Sequence, residues 1–462
     1  MNCEVWDAVV GSAFCVANGF SGMAMKCIVV LGGGFGGLQA TIELDRIYRR
    51  RTDVEIILVN QQNFFLFTPL LPQIASSYIN PRHIVQAIRD IRGRRRFRFR
   101  RDDVRAIDVG RRRVELASGA LDYDYLVVAL GSRTNYFHVP GAREHTWDFK
   151  SLEEAVVLRE RILDLSEHAD HTRDPAARRQ MLTFVVVGAG YTGIELATEM
   201  HDILFGYVAR RYRGISAADI RLIVLESEPE ILRGVHPRLL ANARKRLQAT
   251  GIEVRPGAKV TRCYPGGVEV NGSETIAAET VIWTAGVCAH ELVEMLPGPH
   301  DRIGRAVVNE HLQLEGYPEV FVAGDSSAAI TAKEAPRVAP VAIAQGRLAA
   351  RNIAHAERGE ALESYRYVSQ GMLVSLGMNH AVVDIAGFKL SGYFAWLFWN
   401  AVHLFKLVGL KKQLQVAIDW SLAVIFPRDA SIVRRPRRCK LCGTDDSQRD
   451  TRNAGLWEMP GR

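Results

Sequence analysis

With 462 residues the chain can hold two or three separate cores, because single cores stop growing near about 250 residues. A 48% hydrophobic and 24% charged composition excludes a disordered chain and one fully embedded in a membrane, and seven cysteines, single except for Cys439 and Cys442, exclude a disulfide framework and favour a reducing compartment. The net charge of +8 comes with arginine clusters at Arg92 to Arg101, Arg111 to Arg113 and Arg434 to Arg438, but no helix-turn-helix, zinc-finger or RNA-binding pattern goes with them, so no nucleic-acid partner is expected.

In chain order, residues 1–25 contain a short apolar run, Ala8 to Ala17, behind Glu4 and Asp7, the wrong charge for a secretory signal. They read as an extension, disordered or set by the choice of start at Met23 or Met25. Regular structure is expected from Lys26. KCIVVL runs straight into GGGFGG, and a helix is expected from Leu38 to Tyr48. Phe97 and Phe99 alternate with arginines as in a half-buried strand, so that cluster is a solvated face. MLTFVVV, from Met181 to Val187, runs into GAGYTG, with a helix expected from Ile194 to Ile203.

A single glycine turn is weak evidence; two, each between a strand and a helix, are strong. The halves also match downstream. LVVALGS ends near Gly131, 99 residues after Gly32, and VIWTAGV ends near Gly286, 98 residues after Gly188. Each is an apolar strand ending in a small residue and glycine (Ala129 and Gly131, Ala285 and Gly286), which lets backbone approach a dinucleotide closely. The fold class is therefore α/β, with two Rossmann-like dinucleotide-binding domains. Gly32 and Gly188 make the tight turns, Gly34 and Gly190 leave room for a pyrophosphate, and Gly37 and Gly193 let helix pack on strand.

RLIVLE ends at Glu226, where a carboxylate accepts from ribose hydroxyls and repels a 2′-phosphate, so NADH is favoured over NADPH there. A basic insertion, Asp202 to Asp219, lengthens the interval. In the first half the corresponding strand, VEIILVN, ends in Asn60, which bonds a ribose without charge assistance. FAD in that half rests instead on VFVAGDSS, where Gly324 and Asp325 end a third strand before a helix from Val341 to Ala354.

Sixteen uncharged residues lie between Lys389 and Lys406, short of the roughly 20 a spanning helix needs. Asn400, His403 and Lys406 recur every third residue, and Lys411, Lys412 and the apolar segment Trp420 to Phe426 follow. The pattern suits two helices lying in the membrane interface, with Trp396, Phe398, Trp399 and Phe405 as anchors and arginines against anionic lipid. A buried hairpin or a homodimer interface is the competing reading.

The segments IVVLGGGFGGL, NQQNFFLFTPLLPQIAS, YDYLVVALGS, VVVGAGYTGIELATEM, VIWTAGV, VFVAGDSS and SGYFAWLFWNAVHLFKLVG resemble the type II NADH dehydrogenases, single-chain, non-pumping NADH:quinone oxidoreductases, from about Lys26 to Arg435. The resemblance implies non-covalent FAD held by Gly32, Gly34, Phe35, Gly36, Gly37, Asn60, Thr68, Ala129, Gly131, Gly324, Asp325 and Val341. It implies NADH held by Gly188, Gly190, Tyr191, Thr192, Gly193, Glu195, Glu226, Ala285 and Gly286. Hydride passes from nicotinamide to flavin, then electrons to ubiquinone or menaquinone, in a homodimer on the cytoplasmic face of the membrane. Glu195 and Gln345 are the candidate catalytic residues.

On the quinone side Pro340 and Ala344 stand where the family carries glutamines, and only Gln345 and Gly346 persist, so the acceptor is a different quinone, is held differently, or is not a quinone. The expected parts are 1–25 extension, 26–140 and 311–375 FAD domain, 141–310 NADH domain, 376–435 anchor or dimer region and 436–462 polar tail.

A disulfide reductase is excluded, since no cysteine pair follows the first turn. A sulfide:quinone oxidoreductase would need Cys263 and Cys288 to act as a pair. A diaphorase with a soluble acceptor is the nearest enzymatic alternative. From another class comes a flavin- or NADH-binding redox sensor or scaffold using Cys439 and Cys442. No metal-ligand cluster supports a catalytic metal.

Overall fold

Two parallel sheets surround the two glycine-turn strands in the computed structural model, which describes residues 25–93, 95–330, 335–385 and 387–432. The N-terminal extension before Met25, the cluster Arg434 to Arg438 and the Cys439/Cys442 tail lie outside them. Lys26–Leu31 sits between Val54–Asn60 and Tyr125–Val128, with Arg98–Arg101 and Tyr317–Val322 one place further out on either side. Thr183–Val187, wholly buried, sits likewise between Arg221–Glu226 and Thr280–Trp283, with Glu253–Pro256 and Trp147–Asp148 beyond. Strands covered on both faces have no solvent side, so they read as unbroken apolar runs rather than alternations. Phe97 and Phe99 are buried while Arg96 and Arg98 are exposed, as the alternation implies.

Helix α1 (Phe35–Ile47) leaves the first turn, α2 (Tyr191–Ile203) leaves the second, and α3 (Pro237–Thr250) lies against a C-terminal sheet. Helix α4 (Ala339–Arg358) returns beside α1 in a crossing so close that a Cβ on Gly346 would stand 2.1 Å from the Gly36 carbonyl oxygen. The chain passes between the halves through Ser132–Thr134, which pairs antiparallel with the returning Val287–Ala289. The return therefore comes before the expected boundary at 310/311, since Ala306–Val308 already pairs with Ser327–Ala329 in the first sheet. The boundary expected at 375/376 falls inside the C-terminal sheet of Met372–Ser375, Ala381–Ile385 and Phe388–Gly392.

Two helices follow, α5 (Tyr393–Lys406) and α6 (Leu410–Ile425). Among the described residues no helix is long and apolar enough to cross a membrane. The expected anchors divide. Phe398 and Phe405 are exposed, with Phe394 and Leu397, but Trp396 and Trp399 are 7% and 2% exposed and belong to the core. The polar stripe also turns inward over most of its length. Asn400 is buried, and His403 stacks on Trp399 with ring centroids 4.0 Å apart and faces Phe67 across the fold. Burial of the imidazole pushes His403 down to about 4, so it stays neutral and compatible with that position. On α6, Leu410, Leu414, Ile418 and Leu422 recur every fourth residue on the exposed side, while Val416 and Trp420 face inward.

Candidate functional site

The glycine turns can be tested by asking what a Cβ would meet. On Gly32 (φ +99°) it would stand 2.2 Å from the Ala129 oxygen, and on Gly188 (φ +102°) 2.6 Å from the Ala285 Cα. On Gly37 and Gly193 it would stand 1.9 Å from the carbonyl oxygens of Gly32 and Gly188. On Gly34 and Gly190 it would meet no protein atom within 4 Å. The first two pairs are demanded by the fold; the third pair is small for something the chain does not itself supply. Gly34 and Gly190 also begin α1 and α2 with no side-chain cap and no acid in the first turn, leaving backbone N–H groups for an anion. Phe35 packs edge-on against Phe65 at 5.0 Å and Phe67 at 5.9 Å, which ties the first turn to the segment carrying Thr68, itself exposed.

The strand ends beside these turns are built alike. Asn60 Oδ1 accepts from the Gly33 N–H at 2.7 Å, and Glu226 Oε2 accepts from the Ala189 N–H at 2.7 Å. Asn60 Nδ2 donates to the Gln62 oxygen, and Glu226 Oε1 accepts from the Glu228 N–H at 3.0 Å, so both side chains are held on two sides while the Glu226 carboxylate stays partly exposed. Tyr191 and Thr192 are exposed at the start of α2, and Gly286 lies against Phe137, where a Cβ would be 2.8 Å from the ring.

Beside the first turn a cavity is lined by Gly324, Asp325, Val341, Gln345, Arg305 and Arg337. Asp325 Oδ2 accepts from the Ser132 hydroxyl, whose oxygen in turn accepts from Lys150 Nζ, both at 2.7 Å. Burial holds Lys150 below the ordinary lysine range, with Asp325 opposing. Sequence reasoning missed Ser132 and Lys150, because neither stands in a motif. Gln345, an expected catalytic residue, lines the same cavity. It is 2% exposed, and its Oε1 accepts from the Gly324 N–H at 2.7 Å and the Ser327 hydroxyl at 3.0 Å, so it is a positioning residue for the Asp325 turn. Gly346 serves the α1–α4 crossing, Pro340 opens α4 and Ala344 is exposed.

A ladder of acids runs down one face of α2: Glu195, Glu199 and Asp202. Burial pushes Glu195 up to about 8, against the Ser375 N–H that donates to its Oε1 at 2.9 Å, and with the Glu199 charge adding to the rise. The Trp399 indole N–H faces Glu195 and opposes that rise, and the Ser375 hydroxyl is buried without a hydrogen-bond partner. Burial also raises Glu199, opposed by Arg428; the Ser76 hydroxyl donates to it at 2.6 Å. Asp202 is held below its ordinary value despite burial by His201, by Arg428 and by the Met378 N–H at 2.9 Å. Arg428 spans the group, donating to the Ser76 oxygen at 2.8 Å and lying 3.9 Å from Glu199 and 3.6 Å from Asp202. The i, i+4, i+7 spacing was legible in sequence, but the closing arginine was not.

Cys263 and Cys288 lie in different small sheets, both buried, and burial pushes the Cys263 thiol up to about 12, so neither is a ready thiolate.

Paired pyrophosphate cradles on two sheets of the same design define a two-dinucleotide reductase. The pyridine nucleotide-disulphide oxidoreductase family model matches residues 26–346, and the NDH2 C-terminal domain matches residues 369–429. The type II NADH:quinone oxidoreductases Ndh and NdhA of Mycobacterium tuberculosis are 33% and 32% identical to the chain. These matches span 87% and 86% of this chain and 88% and 86% of those proteins. NDH2 of Plasmodium falciparum, solved with NADH, superposes with a TM-score of 0.81 at 18% identity, over 88% of this chain and all of that one. The chain belongs to the type II NADH:quinone oxidoreductase family.

Proposed function

We propose that the chain oxidises NADH through non-covalent FAD and reduces a quinone, as a peripheral homodimer on the cytoplasmic face of a membrane. The observation that carries this reading is the pair of open cradles at Gly34 and Gly190, each at an uncapped helix start. Bound there, FAD supplies the acceptor for the nicotinamide hydride and the donor of two electrons to quinone, so no protein nucleophile is required. The residues present fit that group. The N–H groups beginning α1 face its pyrophosphate, and Asp325, held by Ser132 and Lys150, is positioned for its ribityl hydroxyls. At the second turn Glu226 accepts from the adenosine ribose of NADH and disfavours a 2′-phosphate.

Quinone reduction takes up one more proton than NADH delivers as hydride. Glu195, raised to about 8, holds a proton at neutral pH on the oxygen that Ser375 does not occupy. The Ser375 hydroxyl beside it, buried without a partner, is free to meet a carbonyl oxygen.

The membrane part of the reading rests on the outward face of Phe394, Leu397, Phe398 and Phe405 on α5 and Leu410, Leu414, Ile418 and Leu422 on α6. Contiguous exposed apolar faces of this kind mark lipid or protein contacts. The same face offers area for a second copy. The test is NADH oxidation by the purified protein with a long-chain quinone dissolved in vesicles. Turnover that requires vesicle binding supports the reading; equal turnover with a soluble dye and no response to vesicles favours a diaphorase. Light scattering in detergent reports the dimer, and protease access in inverted against right-side-out membrane vesicles reports the face.

A further inference from the structure

A second cavity, of about 270 Å³, lies far in the chain from either glycine turn, between α3 and the C-terminal sheet. On one face of α3, Asn242, Lys245, Arg246 and Ala249 line it at i, i+3, i+4 and i+7; His380 and Ser391 line the opposite side. The lining carries Lys245, Arg246 and His380 and no carboxylate; among the described residues neither Lys245 nor Arg246 is in an ion pair, and Arg246 Nε donates to the Leu376 carbonyl oxygen at 3.5 Å. Asn242 Nδ2 donates to the Ser391 hydroxyl oxygen at 2.9 Å, joining the two walls. Burial and the Arg246 charge hold His380 below its ordinary value, so an anion in the cavity would draw a proton onto it.

Position gives the cavity its meaning. Ser391 and Gly392 line it, and the next residues, Tyr393 and Phe394, are 51% and 76% exposed at the start of α5. Phe388 and Leu390, on the same strand as Ser391, are exposed as well. Residues lining a cationic, hydrogen-bonding hollow are therefore followed directly in the chain by the apolar outward face, and phosphates border the apolar layer when such a face enters lipid. We propose that this cavity binds the phosphate of an anionic phospholipid headgroup, with Lys245 and Arg246 as cations and Asn242 and Ser391 as hydrogen-bonding partners. The proposal rests on the membrane reading above, and it adds lipid selectivity to it.

The test is sedimentation of the full-length, FAD-loaded protein with vesicles of phosphatidylcholine, alone or partly replaced by phosphatidylglycerol. Wild type is expected to bind the mixed vesicles at least about tenfold more tightly, and the Lys245→Gln/Arg246→Gln variant to lose about fivefold per charge on mixed vesicles only. Ala249→Leu separates a built pocket from general attraction, because it fills the cavity and changes no charge. It is expected to lose the same preference, and wild-type behaviour in this variant overturns the proposal. Equal binding of wild type to both vesicle types overturns the pocket and leaves the apolar face standing, whereas binding to neither overturns both. In a parallel arm, inorganic phosphate is added in thermal unfolding. Stabilisation of wild type but not of Ala249→Leu, with phosphatidylglycerol preference intact in that variant, would assign the cavity to free phosphate and end the lipid reading.

Discussion

Glu195→Gln is the sharpest perturbation of the buried acids. Glutamine keeps the shape of the protonated carboxyl, so the variant isolates the cost of ionisation. The wild-type carboxyl ionises at about 8 in the folded chain against an ordinary 4.5. At about 1.4 kcal/mol per tenfold change in acidity, its charged form is disfavoured in the fold by roughly 4 to 5 kcal/mol. Between those two values the unfolded chain has released the proton and the folded chain has not, so this group's contribution to stability falls as pH rises and is lost through about 8.

The FAD-loaded variant should match wild type near pH 5 and exceed it increasingly up to about pH 8, where the gap in Tm reaches several degrees and levels off. Glu199 is raised as well, and because its charge adds to the rise at Glu195 the difference reports Glu195 together with that coupling. In stopped flow, reoxidation of the reduced flavin by a soluble quinone should slow in wild type above about 8. In the variant it should be slow throughout, with flavin reduction by NADH little changed. A Tm gap that stays constant from pH 5 to pH 9 would refute the assignment of a buried, protonated Glu195.

Gly34→Ala should fold normally and lose flavin, because its Cβ meets no protein atom, whereas Gly32→Ala should fail to fold, its Cβ falling 2.2 Å from the Ala129 oxygen; thermal melts beside flavin absorbance distinguish the two. Glu226→Ala should erode preference for NADH over NADPH by about tenfold or more, measured as the ratio of kcat/KM values; an unchanged ratio would misplace the adenosine ribose. Phe405→Ser should weaken vesicle binding without lowering Tm, while Trp399→Ser should cost about 3 to 5 kcal/mol of stability, measured by denaturant unfolding, because Trp399 is core.

The cores of both halves were legible because a parallel strand buried on two faces leaves an unbroken apolar run, and a glycine turn leaves its own signature. Gly32, Gly34 and Gly37 have distinct steric reasons that their spacing already separates. Two of the four expected anchors, Trp396 and Trp399, were misplaced for an equally physical reason. A helix that packs on a core and also exposes an apolar face has two apolar faces, so periodicity alone does not tell which one faces inward. The structure sends Trp396, Trp399, Asn400 and His403 in and Phe398 and Phe405 out. Gln345 was named through the resemblance alone, and its partners, Gly324 and Ser327, belong to the preceding strand and turn, where no local pattern points to them. Arg428 meets Glu199 and Asp202 across more than two hundred residues, a pairing that no local pattern encodes.

The central claim is that one chain brings a nicotinamide and a flavin together and passes the electrons to quinone. Anaerobic addition of NADH to the yellow protein, followed by a quinone, tests it in one cuvette. Stoichiometric bleaching by NADH and full return of colour with quinone is the expected result. A folded protein that carries no flavin, or a bleached flavin that quinone leaves bleached, would contradict it.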